Sequence, residues 1–200
     1  NCLVHADALA VLVKSLGASD DMQAASYLAF ACEHLNKPQE LIDKAFGASH
    51  AALAMETMRL MQLQRQAQTR AAKDVQGQVQ IEFVRRMLLA FSRDLRVVVL
   101  RLASRLQTLR YLHAHKKTGF DGVAKESLLV FAPLANRLGI WEIKWELEDL
   151  SFRYLEPETY KKIAKLLHEK RVERELNMLQ LCDQVQTELA AQNIASTVQG

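Results

Sequence analysis

Residues 95–113 read LRVVVLRLASRLQTLRYLH, and the spacing of their apolar side chains sets the expected fold class. Taken alone, the run Val97-Val98-Val99-Leu100 is compatible with a buried strand. The apolar pattern nevertheless continues at the three- and four-residue spacing of a helix through Leu102, Leu106, Leu109 and Leu112. We therefore predict one helix over the whole stretch.

The same periodicity extends over most of the chain and is punctuated by capping residues. The other predicted helices cover residues 3–16, 19 to about 36, 40–45, 49–68, 81–91, 121–138, 140–154 and 159 to about 191. Pro133 should kink or divide the helix that contains it, because proline lacks an N–H and collides with the preceding turn. The polar stretch 69–78 is predicted to be a connection.

The composition agrees with an all-α fold. Half of the 200 residues are hydrophobic, a quarter are charged, and there are only 7 glycines and 3 prolines, which argues against collagen-like, disordered and turn-rich all-β proteins. No apolar run reaches the roughly 18 residues of a membrane-spanning helix. Three scattered cysteines, Cys2, Cys32 and Cys182, favour a reducing, cytoplasmic location over a disulfide framework. Because the chain starts without Met, we expect it to be a piece of a longer protein.

Positive charge is concentrated in the middle of the sequence. Residues 61–120 carry 12 basic and 3 acidic groups, a net charge of +9, whereas the segments on either side each carry −3. Clustered basic groups attract phosphate-bearing partners such as RNA or nucleotides. The alternative is a helix surface whose counter-charges come from the acidic flanks, and the sequence leaves both readings open.

The usual catalytic motifs are absent from the sequence. No serine lies in a Gly-x-Ser-x-Gly elbow, and no glycine introduces Gly-Lys-Ser/Thr. His113 and His115 are two residues apart, so on a helix they point in different directions and cannot share a metal ion. Glu33 and His34 would be compatible with a metal only if His5 joined them.

Five stretches resemble the hydrolase-type N-terminal region of the RelA/SpoT family, whose members make and degrade the alarmone (p)ppGpp. They read EFVRRMLLA (82–90), DLRVVVLRLASRL (94–106), APLANRLGI (132–140), KWELEDLSFRYL (144–155) and YKKIAKLLHE (160–169). The resemblance implies an HD-type helical globule over residues 1–155. It also implies that residues 156–200 form a long C-terminal connecting helix, which leads to a synthetase domain absent from this chain.

In active family members a manganese ion is held by a His, a His-Asp pair and a later Asp. The resemblance places the first His at His5 and the pair at Ala29-Phe30, followed by the surviving acidic residue Glu33. The family's Leu-Ala-Asp-Arg-Leu-His-Asn reads LASRLQT at 102–108, which puts Ser104 at the later Asp. The degenerate hydrolase positions are thus His5, Ala29, Phe30, Glu33, Ser104 and Thr108.

A methyl, a phenyl and a neutral hydroxyl cannot replace ligands of a hard cation. The resemblance therefore implies an inactive pseudo-hydrolase, without cofactor, on a monofunctional RelA-like enzyme that makes (p)ppGpp from ATP and GTP or GDP. Manganese is expected only in active homologues, and magnesium enters with ATP in the missing synthetase domain.

The expected partners are that synthetase domain in cis, the ribosome and tRNA through absent parent regions, and a second copy through the C-terminal helix, but no membrane. The alternatives are an active metal-dependent (p)ppGpp 3′-pyrophosphohydrolase and a helical nucleotide- or RNA-binding module.

Overall fold

The computed structural model describes residues 2–71, 94–192 and 194–197, and within these ranges every regular element is helical. The α-helices are α1 (Cys2–Ser15), α2 (Asp20–Ala31), α3 (Pro38–Phe46), α4 (Ala48–Ala71), α5 (Leu95–Ala114), α6 (Asp121–Glu126), α7 (Ala132–Arg137), α8 (Trp141–Leu155) and α9 (Pro157–Ala191). The all-α prediction is confirmed. The predicted helix 81–91 and most of the predicted connection 69–78 lie outside the described residues, and residues 69–71 continue α4 instead of starting the connection.

Local chemistry fixes several of the helix ends. Gly17, which follows α1, has φ +76°, a left-handed conformation that glycine adopts without strain. Gly47 ends α3 with φ +91°, and Pro38 occupies the first turn of that helix. Asp94 caps α5, where its side chain accepts a hydrogen bond from the backbone N–H of Arg96 at 3.0 Å.

The chain separates into two compact units, Asn1–Leu155 and Glu156–Gly200. In the first unit, α5 is the central helix and packs against α1, α4 and α8. Its apolar side chains are buried around most of its circumference, including Val98, Leu100 and Leu102, which are fully buried. The valine run is therefore helical because the surrounding core accepts it, although β-branched residues favour strands in isolation.

The predicted break at Pro133 takes the form of a π-helical turn over Ser127–Phe131, placed between α6 and α7. A π turn widens the helix by one residue and redirects the chain. The turn follows Glu126, at the end of α6, and its last residue is Phe131, whose ring is fully buried. Both side chains belong to the site described below.

The second unit is dominated by α9, whose 35 residues make it about 52 Å long at 1.5 Å per residue. Its exposed apolar residues include Leu166, Leu167, Leu176 and Leu179. In the tail that follows, Ser196 accepts a hydrogen bond at its backbone oxygen from Gln186 Nε2 at 2.6 Å. Among the described helices, none combines the length and apolarity needed to cross a bilayer.

Candidate functional site

Residues from α1, α2 and α5 meet at one cleft of the first unit. His5 Nε2 lies 3.0 Å from Ser104 Oγ, although 99 residues separate them in sequence. The ring of Phe30 meets the imidazole of His5 edge-on, with ring centroids 5.5 Å apart. The cleft has a volume of about 410 Å³, and His5, Phe30, Ser104 and Thr108 all line it. Four of the six positions singled out in the sequence thus share one cavity.

The other two positions, Ala29 and Glu33, do not line the cleft. Ala29 is buried and is not among the residues that line the cleft. Glu33 turns to Arg65, with its Oε1 2.8 Å from the guanidinium Nη1, so it forms an ion pair and not a group with His5 and His34. Across the described residues, no three His, Cys, Asp or Glu side chains are arranged to hold a metal ion. His113 and His115 therefore do not belong to such a group either.

The inner wall of the cleft is formed by two arginines one turn apart on α5. Arg101 and Arg105 are 6% and 3% exposed and both line the cavity. Arg105 pairs with the buried carboxylate of Glu126 and stacks over Phe131, with its guanidinium carbon 4.4 Å from the ring centroid. Arg101 donates a hydrogen bond to Gln64 Oε1, and Gln64 Nε2 donates to Glu126 Oε2 at 3.3 Å. We refer to Gln64, Arg101, Arg105 and Glu126 as the arginine cluster.

Burial and positive charge determine how the groups of the cleft titrate. Desolvation, followed by the charge of Arg101, lowers the pKa of His5, so the imidazole is neutral at physiological pH. Desolvation and the neighbouring charge of Arg105 lower the pKa of Arg101 to about 9. Burial also lowers the pKa of Arg105, although the carboxylate of Glu126 opposes this effect. Each shift indicates a site that disfavours further positive charge.

The arginine cluster was not among the residues singled out from the sequence. Its members are separated by 37 residues between Gln64 and Arg101 and by 62 between Gln64 and Glu126, so no local spacing links them. One signal was present: Arg101 and Arg105 interrupt the apolar pattern of residues 95–113 at i and i+4. On a helix that is buried around most of its circumference, charges on the buried side need buried partners.

The cleft arginines belong to the central basic segment, and the described part of that segment is extensively paired. Arg65 pairs with Glu33, Arg105 with Glu126, and Arg110 with Glu146. All three carboxylates come from the acidic flanking segments. This pairing favours internal charge neutralisation over a basic surface, as far as residues 61–65 and 94–120 are concerned.

Comparison with known proteins identifies the family. The HD domain family matches residues 1–141 of the chain. A relative from Synechocystis, named probable guanosine-3′,5′-bis(diphosphate) 3′-pyrophosphohydrolase, is 39% identical over 192 residues, which is 96% of this chain and 24% of the relative. The GTP pyrophosphokinase of Escherichia coli K12 is 46% identical over 121 residues, 60% of this chain and 16% of the relative.

A GTP pyrophosphokinase from Haemophilus influenzae is 52% identical over 99 residues, 48% of this chain and 13% of the relative. The chain therefore spans a quarter or less of the length of these curated relatives. The match to the HD domain family covers most of the first unit, and the names of the relatives cover the two activities of (p)ppGpp metabolism. The chain therefore belongs to the HD domain family, as an HD domain of the RelA/SpoT type.

Proposed function

We propose that this chain is a catalytically inactive pseudo-hydrolase, an HD domain that keeps the fold and has lost the metal site. The observation that carries the proposal is the donor set of the cleft. His5 is its one imidazole among the described residues, and the side chains beside it are a hydroxyl, Ser104, and a phenyl ring, Phe30. A hard divalent cation needs several oxygen or imidazole donors to replace its hydration shell.

The residues present do not fit manganese, and the charge of the surroundings strengthens this conclusion. Arg65, Arg101 and Arg105 all line the cleft, so a divalent cation would enter a region that is already positive. The hydrogen bond to Ser104 also engages Nε2 of His5, which lies 3.0 Å from the hydroxyl at the position matching the family's aspartate. We therefore derive no hydrolytic step at this site.

We further propose that the domain is a regulatory and structural module of a longer RelA-like GTP pyrophosphokinase. Two of the relatives are named GTP pyrophosphokinase. The similarity to the Synechocystis relative extends over 192 residues of the chain, so it includes most of residues 156–200. In this proposal α9 connects the HD domain to a synthetase domain that uses ATP with magnesium. Contacts with the ribosome and tRNA belong to other regions of that protein.

An active (p)ppGpp 3′-pyrophosphohydrolase is the second candidate. It is favoured by the name of the Synechocystis relative, whose similarity extends over 96% of the chain. It is disfavoured by the residues at the ligand positions, which decide whether a metal binds. The third candidate, a helical nucleotide- or RNA-binding module, is less favoured because Arg65, Arg105 and Arg110 already have carboxylate partners.

Metal content and hydrolysis separate the first two candidates. The chain is purified from cells grown with added manganese, its metal content is measured by mass spectrometry, and pyrophosphate release from (p)ppGpp is followed with manganese present. We expect neither stoichiometric metal nor manganese-dependent release. The single-ligand variant Ser104→Asp should behave in the same way, since His5 and one carboxylate are too few donors. Stoichiometric manganese together with turnover by the unmodified chain would overturn the proposal.

A further inference from the structure

Helix α9 exposes large apolar side chains along one of its sides. Five of them are between 37% and 64% exposed. At 3.6 residues per turn these five fall within an arc of about 60°. They are Ile163, Leu167, Met178, Leu181 and Val185, and we call them the α9 stripe. Apolar surface of this kind marks an interaction site, and a helix gains most of its stability from packing such a face.

The spacing of the α9 stripe is symmetric about the middle of the helix. Arg174 is the central residue of the 35-residue helix, and Leu167 and Leu181 each lie 7 residues from it. Ile163 and Val185 each lie 11 residues from it. Spacings of this kind, repeating every 7 residues, are those at which two helices meet along a seam. A second α9 that runs in the opposite direction about the same centre places Leu167 opposite Leu181. It also places Ile163 opposite Val185.

The charges of α9 favour this antiparallel arrangement over a parallel one. Residues 157–174 carry 6 basic and 3 acidic groups, a net charge of +3. Residues 175–191 carry 3 acidic groups and no basic group, a net charge of −3. An antiparallel pair places the basic half of each helix beside the acidic half of the other, so the two helices attract each other. A parallel pair in register would place like charges together along its whole length.

We propose that the α9 stripe binds a second copy of this chain, and that the two α9 helices pair antiparallel across a twofold axis at Arg174. A twofold interface uses the same surface of both copies, so it must be self-complementary, as the spacing of the stripe is. Met178 then lies opposite Lys170, whose aliphatic stem covers apolar neighbours while its ammonium reaches water. Two arginines meet at the axis, and a charge at one seam position lowers the stability of a helix pair while it fixes the register. The proposal goes beyond the proposed function and does not depend on it, because the cleft takes no part in the pairing.

Measurement of mass over a range of chain concentrations tests the association. We expect light scattering to show a reversible equilibrium between the single chain and a dimer. Leu181→Glu places a charge in the apolar seam and should weaken the association about tenfold or more. The matched control Gln180→Glu adds the same charge outside the α9 stripe and should not weaken it. Arg174→Leu removes the repulsion at the axis and should strengthen the association about tenfold.

Cysteine cross-linking tests the direction of the pair. In a background in which Cys2 and Cys182 are replaced by serine, Arg174→Cys should form a disulfide-linked dimer under mild oxidation. Leu167→Cys and Leu181→Cys should not cross-link when each is alone, but a mixture of the two variants should give the mixed dimer. A parallel pair in register would instead cross-link each of these variants to itself.

A chain that stays monomeric at every concentration would overturn the proposal, and the α9 stripe would then belong to another occupant, such as the synthetase domain. A dimer that Leu181→Glu does not weaken would overturn it too, because the association would use another surface. Self-cross-linking of Leu167→Cys alone would refute the antiparallel arrangement. If Leu181→Glu unfolds α9, the cross-linking pattern decides, because cysteine keeps the seam apolar.

Discussion

The substitution Glu126→Gln tests whether the arginine cluster has the energetics that its burial implies. Glu126 and Arg105 are 8% and 3% exposed at their side chains, and Glu126 is the carboxylate that also accepts from Gln64. Removing one partner of a buried ion pair typically costs about 3–5 kcal/mol, because the other charge stays buried without compensation. Glutamine keeps the shape and one acceptor oxygen, so we expect the lower end, about 3 kcal/mol.

This loss is a large part of the total stability of a domain, which is about 5–15 kcal/mol. It is measured by urea unfolding, followed by circular dichroism. For an m-value of about 1–3 kcal/mol per molar urea, a loss of about 3 kcal/mol lowers the unfolding midpoint by about 1–3 M. The matched control is Glu146→Gln, which breaks the pair with Arg110 at side chains that are 36% and 40% exposed and should cost less than about 1 kcal/mol.

A double mutant then identifies the source of the loss. In Glu126→Gln the repulsion between Arg101 and Arg105 has no buried carboxylate to offset it, so adding Arg101→Gln should restore part of the stability. The coupling between the two substitutions should fall in the range of about 0.5–3 kcal/mol found for neighbouring charged groups. If Glu126→Gln costs no more than Glu146→Gln, the cluster is solvated and the cost expected from its burial is wrong.

Three further predictions concern His5, Ser104 and α9. The unfolded chain protonates His5 at a higher pH than the native chain, so the free energy of unfolding should fall as pH falls below about 6.5, and His5→Gln should flatten this slope in urea melts at several pH values. Ser104→Asp places a carboxylate beside the imidazole and should raise the pKa of His5, measured by NMR titration; an unchanged pKa would contradict the observed contact. Leu179→Glu should leave the HD unit folded. It should weaken coupling to the synthetase domain, seen as a changed synthetase rate of the longer protein, and abolish any dimer of the chain that buries Leu179, seen in light scattering. Gln180→Glu should change neither.

Helix positions were predictable because their signals are local. Gly17 ends α1 and Pro38 opens α3 through backbone preferences that each residue carries by itself. The break before Pro133 was predictable for the same reason, but its π-helical form was not, because it depends on how Phe131 and Glu126 pack in the core. We predicted the end of α4 three residues too early, because residues 69–71 begin a polar stretch. None of these three residues breaks a helix, and α4 continues through them.

The site was predictable only through the family resemblance. Nothing in the local sequence links His5 to Ser104 across 99 residues, or Gln64 to Glu126 across 62. The resemblance led to His5, Phe30 and Ser104 because it concerns the positions that match the family's metal ligands. The motif it matches contains Arg105, but the resemblance does not identify the partners in the arginine cluster, because these are set by the packing of α4, α5 and α6 around the cleft.

In the proposed pseudo-hydrolase, the charge of Arg101 adds to the lack of donors in disfavouring a divalent cation in the cleft. A divalent cation beside Arg101 would meet repulsion in addition to its lack of donors, and the effective dielectric of a buried site is well below that of water. Ser104→Asp alone therefore changes the charge of the cleft, but it does not supply enough donors to hold a metal ion. The imidazole of His5 packs against Phe30 and contacts Ser104, so it has neighbours in the fold without a metal ion.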